Sequence, residues 1–258
     1  MLKSFALAAA LTLCCHAASA LAAEKVHRDA KELRSSGEYR DALHVDFTDE
    51  EYPSKYRDLL RALPNLQTLA VGGPRFTDWY LKDLAKIESL RAIVLDSTDV
   101  TDAAIEEVRK LRPELSIYRS QRRATEEIRK LALEAIVVTR TNEGYPELAE
   151  LLGKRHFEEA TEVSFRKLPD DETGPFDQIL NEELAPLRML PTVEELDLKW
   201  TRINDGGLHY LKNLKQLRSL RLPLDEISEE GRKLLRERQG LEELEGTENG
   251  KHVLRIIK

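Results

Sequence analysis

Cysteine is almost missing from this 258-residue chain: it has two, Cys14 and Cys15, and none follows. Beyond them no disulfide can form, so packing must hold the fold together. Long apolar runs are also missing after residue 23, where no stretch approaches the roughly 20 residues needed to span a bilayer. Positive charge is not in excess; the formal net charge is −7, which gives no basic face for nucleic acid. The six histidines, His16, His27, His44, His156, His209 and His252, show neither H-x-x-x-H nor H-E-x-x-H spacing. A G-x-S-x-G elbow and a phosphate-cradling glycine loop are absent as well. The expectation is therefore no catalytic constellation, no cofactor and no metal.

Residues 1–23 differ from the rest. Lys3 is the only charge before Glu24, an apolar run covers Phe5 to Cys15, and Ala18-Ser19-Ala20 and Ala20-Leu21-Ala22 supply small-residue exits. A positive start, an apolar centre and an A-x-A exit describe a secretory signal peptide, cleaved after Ala20, Ala22 or Ala23. An uncleaved anchor helix is the other reading. Leu13 before Cys14 is a poor context for lipidation. Cleavage removes Lys3 and takes the charge from −7 to −8. An exported chain without cysteine suits the bacterial envelope, periplasmic or extracellular.

Apolar residues at 41% suffice for a core, but 34% charged residues is high for one compact globule. A stack of short repeats, with a thin core and a large surface, accommodates both. The repeats are visible. Val45 and Phe47, Leu69 and Val71, and Ile93 and Leu95 are alternating pairs, each 24 residues beyond the last, with Leu60, Leu84 and Val108 at the matching helix position. Residues Glu24 to Arg34 are expected to form a charged capping helix, closed by Gly37. Ile117 is the next strand position, but Arg119 replaces its apolar partner, and the first array weakens there. The run Arg119-Ser120-Gln121-Arg122-Arg123 reads as a solvated connection.

From Thr125, the residues Ile128, Leu131, Ala132, Ala135 and Ile136 follow helical spacing. Whether Ile136 and Val138 belong instead to a strand stays open. Tyr145-Pro146 opens a helix carrying Leu148, Leu151 and Leu152, as Tyr52-Pro53 opens one with Leu59 and Leu60. The two dipeptides lie 93 residues apart, as do Val45 and Val138, which suggests a duplicated block of about four repeats. Val163 and Phe165 restart the strand rhythm, and an insertion at about 168–190 lengthens the unit. Val193, Leu196 and Leu198, then Leu217, Leu220 and Leu222, are the most regular units. Leu241 and Leu244 mark a last strand. Asn249-Gly250 is a hairpin turn signal, after which Val253 to Ile257 fold back as a C-terminal cap.

These units resemble leucine-rich repeats. The L-x-x-L-x-L core stands as Val193-x-x-Leu196-x-Leu198, Leu217-x-x-Leu220-x-Leu222 and Leu90-x-x-Ile93-x-Leu95. Thr201-Arg202-Ile203-Asn204-Asp205-Gly206-Gly207-Leu208 resembles a continuation common in bacterial, especially planctomycete, members, and Thr98-Asp99-Val100-Thr101-Asp102 repeats part of it. The resemblance implies an α/β solenoid with short parallel strands on the concave face and helices on the convex face. About eight repeats of roughly 24 residues, one longer and irregular, fit the chain. The domains are then a signal peptide at 1–23, a cap and first array at 24–118, and a second array at 119–258. The resemblance also implies protein recognition on the concave face and no reaction.

The Asp residues of Thr77-Asp78, Thr101-Asp102 and Asn204-Asp205 recur once per repeat, which suits helix capping better than acid–base chemistry. Asp170-Asp171-Glu172 lacks the spaced ligands of a calcium loop and reads as an exposed turn. Strand positions pointing away from the core include His44, Asp46, Thr68, Ala70, Ala92, Val94, Asp96, Glu162, Ser164, Arg166, Glu195, Asp197, Lys199, Trp200, Ser219 and Arg221. Among them Asp96, Arg166, Asp197, Lys199, Trp200 and Arg221 are the candidate protein-binding residues, because exposed aromatics and arginines anchor interfaces. Trp200 packing against its strand-end neighbours is the competing reading. The expected function is non-enzymatic binding of an unidentified protein or envelope component. A structural spacer without a ligand site is the alternative.

Overall fold

A computed structural model describes residues 25–35, 37, 40–49, 55–131, 135–165, 179–248 and 251–257. The signal-peptide segment, Tyr52-Pro53, Arg166, Asp170-Asp171-Glu172 and Asn249-Gly250 lie outside them. The chain is α/β and divides into two compact units. The first runs to Ser120 and takes in Glu143–Phe157; the second comprises Gln121–Asn142 and Glu158 onward. The boundary thus falls two residues beyond the expected 118, and a segment expected in the second array packs with the first.

The first unit holds five strands in sequence order: β1 (Val26–His27), β2 (His44–Phe47), β3 (Thr68–Gly72), β4 (Ala92–Asp96) and β5 (Ser116–Ser120). All neighbours are parallel, and the register places Val45, Leu69, Ile93 and Ile117 side by side. Parallel neighbours need a crossover. Helices α1 (Ala30–Ser35), α2 (Lys55–Arg61), α3 (Asp78–Leu84) and α4 (Asp102–Leu111) lie in those connections. Val45, Phe47, Leu69, Val71, Ile93, Leu95 and Ile117 bury one face of the sheet against Leu60, Leu81, Leu84, Ile105 and Val108 of the helices. The capping helix expected from Glu24 is instead a short strand, β1, followed by α1. An edge strand pairing with β2 satisfies the backbone of that edge, which a helix cannot do.

The second unit begins with α5 (Arg122–Leu131) and β6 (Ala135–Thr141), so Ile136 and Val138 belong to a strand. Its other strands are β7 (Glu158–Phe165), β8 (Glu195–Asp197), β9 (Ser219–Pro223), β10 (Glu243–Glu248) and β11 (Lys251–Ile257). The sheet order is β11-β10-β9-β8-β7-β6. The four middle strands are parallel, while β6 and β11 close the edges as antiparallel partners. The duplication suggested by Val45 and Val138 is not matched: Val45 is buried on a parallel strand, whereas Val138 is exposed on an antiparallel one. Nor is the run after Arg119 a solvated connection. Ser120, Gln121 and Arg122 are buried, and the Gln121 carboxamide accepts from Ala160 N–H at 2.9 Å and donates to Thr192 Oγ1 at 2.7 Å.

Each unit has a helix with a side-chain cap. Thr101 and Ser228 accept from Ala104 N–H and Gly231 N–H, capping α4 and α7 (Glu229–Glu237). The segment with Leu208 and Leu211 is a 3-10 helix, Gly207–Asn213, rather than an α-helix. Glycine favours helix weakly, and a Cβ at Gly207 would stand 2.7 Å from Asn181 Oδ1, so a larger residue there would have to displace the Asn181 side chain, which accepts from Asn204 N–H.

The aspartates work across units of the repeat. Asp78 accepts the Thr101 N–H and hydroxyl, and Asp205 accepts the same two groups of Ser228. The threonine and serine cap their own helices, and each aspartate fastens the next capping residue in place. Thr77 itself makes no side-chain cap. Two arginines repeat a second device. Arg112 donates to the carbonyls of Ala85, Ile87 and Leu90, and Arg238 to those of Leu211 and Leu214, at the C-terminal ends of the preceding helices and in the turn that follows α3. Burial pushes the Arg238 guanidinium below its ordinary value.

Candidate functional site

Side chains alternate along a strand, so each sheet has a second face turned away from its helices. In the second unit, register aligns Glu162, Glu195, Ser219 and Glu243 in one row of that face and Ser164, Asp197, Arg221 and Glu245 in the next. Arg221 sits between two carboxylates: Nη1 lies 3.8 Å from Asp197 Oδ2, and Nε donates to Glu245 Oε2 at 3.2 Å. Lys199 Nζ approaches Asp197 Oδ2 at 3.6 Å from the strand end. The same ammonium stands 6.0 Å from the centre of the Trp200 ring, within reach of its π face.

Exposure sorts these residues. Arg221 has a side chain 37% exposed and Trp200 is 39% exposed, whereas Asp197 is 12% exposed and acts as the anchor of the ladder. The structure therefore brings together four of the candidates, Asp197, Lys199, Trp200 and Arg221. It adds Glu243 and Glu245, which lie 24 residues beyond Ser219 and Arg221 and were legible from that phase.

Asp96 does not join them. It ends β4 in the first unit and is wholly buried, 0% exposed, which overturns its reading as a surface contact. Most of the rest of that face is also covered, with Ser116 at the start of β5 the exposed exception among the described residues. Ala70, Val94 and Tyr118 form an apolar cluster with Ala149, Leu152 and Phe157, and Tyr145, Leu148 and Leu151 pack against it. These belong to helix α6 (Pro146–Leu152) and the 3-10 helix Lys154–Phe157, which lie across the face. The Tyr118 ring stacks on Phe157 at 4.8 Å and meets Tyr145 at 4.9 Å. Sequence offered one signal for this: Ala70, Ala92 and Val94 are apolar at positions that a solvent-facing row fills with polar residues.

His156, 0% exposed, ends that cover beside Asp46. Its Nε2 lies 3.3 Å from Asp46 Oδ2, a close contact without hydrogen-bond alignment. The other carboxylate oxygen accepts from the Thr48 hydroxyl at 2.6 Å and the Thr48 N–H at 3.1 Å. Arg28 Nε stands 3.5 Å from Oδ2. Burial pushes the Asp46 carboxyl up, but His156 and Thr48 outweigh it and hold the group at about 2.

Among the described residues, no three His, Cys, Asp or Glu side chains lie together as a metal group. No helix among them is long and apolar enough to cross a membrane. Neither a family model nor a curated protein matches the chain.

Proposed function

We propose that the chain is an exported, non-enzymatic protein of the leucine-rich-repeat kind that binds another protein or an envelope component on the strand face of its second sheet. The 24-residue register shared by neighbouring parallel strands supports the repeat reading. The observation that carries the binding site is the half-exposed Lys199–Trp200–Arg221 group, held in place by Asp197 and Glu245. An aromatic and an arginine whose rotamers are already ordered lose less entropy on association. Among the described residues the first sheet offers no comparable group, since most of its equivalent face is covered by the chain itself.

A spacer without a ligand is the second reading, favoured by one observation: Arg221 has its charge answered by Asp197 and Glu245 within the sheet. Affinity capture from the cell's own envelope extract separates the two, comparing the wild type with a Trp200→Ala, Arg221→Ala variant of unchanged melting temperature. Loss of a reproducible partner in the variant supports the face. An unchanged set of partners removes it, and no partner in either supports the spacer.

A further inference from the structure

The cover on the first sheet has the make-up of a bound ligand. Its seat, Ala70, Val94 and Tyr118, lies on the opposite side of the sheet from the core residues Leu69, Val71, Ile93, Leu95 and Ile117. The two clusters share no residue, so removing the cover leaves the core between sheet and helices intact. A part whose contacts are separate from the main core opens on its own, at less than the cost of global unfolding. The cover is also weak in itself. Helix α6 has seven residues, well short of the roughly 12–15 that make an isolated helix even marginal in water. It ends at Gly153, whose φ of +106° breaks the helix before Lys154–Phe157. At its far end His156 contributes a buried contact with Asp46, and neither ring nitrogen has an aligned hydrogen-bond partner.

We infer that the Ala70–Val94–Tyr118 face is a recognition face for an amphipathic helical segment, and that residues Glu143–Phe157 occupy it in cis as a releasable strap. The strap itself shows the chemistry the face accepts. It presents an aromatic at its start, leucines spaced for one helical face, and at its end an aromatic next to a group able to carry positive charge. Tyr145 and Phe157 flank Tyr118, Leu152 shares one cluster with Ala70 and Val94 while Leu148 and Leu151 pack against it, and His156 meets Asp46. A partner helix with Leu or aromatic side chains three and four residues apart, and a basic residue just beyond, makes the same contacts. While the strap is attached it competes at an effective concentration on the order of millimolar, which keeps the face closed to a dilute partner. This inference does not depend on the second sheet's role.

The test uses the full chain and a fluorescein-labelled peptide of the sequence 143–157. Fluorescence anisotropy is compared for the wild type and for a variant with Leu152→Ala and Phe157→Ala, which weaken the attached strap and leave the face untouched. The expected result is binding at least about tenfold tighter to the variant, lost when the peptide's own histidine and final phenylalanine are alanine. Equal binding to a folded variant and to the wild type overturns the inference. Hydrogen exchange on the wild type decides independently, including where the variant does not fold. Amides of 147–157 exchanging while β2 to β5 stay protected support a strap that releases; amides of both exchanging together at one rate overturn it.

Discussion

Asp78 and Thr101, 23 residues apart in the chain, are joined by two hydrogen bonds: Thr101 N–H donates to Oδ1 at 2.6 Å and the hydroxyl to Oδ2 at 2.8 Å. The same hydroxyl accepts from Ala104 N–H and caps α4. One carboxylate thus orients the residue that starts the next helix. Asp78→Ala is expected to cost roughly 1.5–3 kcal/mol, the range for hydrogen bonds to a charged group. Urea melts of Asp78→Ala, Thr101→Ala and the double variant check this. The double variant should lose less than the sum of the single losses, because both act on one device. Full additivity would mean that the aspartate does not act through the cap.

Leu196 is buried in the core of the second unit, beside Val163 and Leu220 in neighbouring strands. Leu196→Ala removes that packing and leaves a cavity, at an expected roughly 2–5 kcal/mol. Asp197→Ala, one residue along on the other face, should cost less, since it lies outside the core. Equal losses in denaturant melts would contradict the assignment of faces.

Gly72 ends β3 where the chain of β2 passes close. A Cβ there would stand 2.6 Å from the Thr48 carbonyl oxygen and 3.1 Å from its Cα, both backbone atoms that cannot swing aside. Gly72→Ala is expected to destabilise by at least the roughly 1–3 kcal/mol typical of overpacking. Gly37→Ala is the comparison: among the described residues no atom lies within 4 Å of its Cβ position, so its φ of +72° is what opposes the change. Melting temperatures of the two variants separate crowding from backbone strain.

Asp46 should make stability depend on pH in acid. A carboxyl lowered from 3.8 to about 2 contributes stability that is complete above its ordinary value and lost as pH falls through the lower one. The window is therefore about pH 4 to 2, and the contribution is on the order of 2 kcal/mol. Asp46→Asn lacks it, so the stability difference between wild type and variant should shrink across that window. A difference independent of pH would show that the carboxylate charge is not what His156 and Thr48 stabilise.

Strands were legible wherever two apolar residues alternate and return after 24 positions, because that spacing is itself the register of β2 to β5 and of β8 to β10. The candidate group on the second sheet was legible for the same reason: Asp197, Lys199 and Arg221 carry their phase in the sequence. Asp96 failed because phase tells which face a side chain takes but not whether anything lies on that face. Gln121 and Arg122 failed similarly. Their polarity suggested solvent, while Ala160 N–H and Thr192 supply Gln121 with partners 39 and 71 residues away.

The sequence by itself determined the repeat length, the residues that bury against the helices, the Pro146 start of α6 and the absence of any cysteine framework. Each depends on local spacing or on residue type alone. Only the tertiary structure decided that the strap 143–157 returns to the first sheet, that Asp46 meets His156, and that Asp78 and Asp205 reach into the following repeat. Those contacts are set by where distant segments come to rest, and a side chain's periodicity holds no information about its partner on the opposite face.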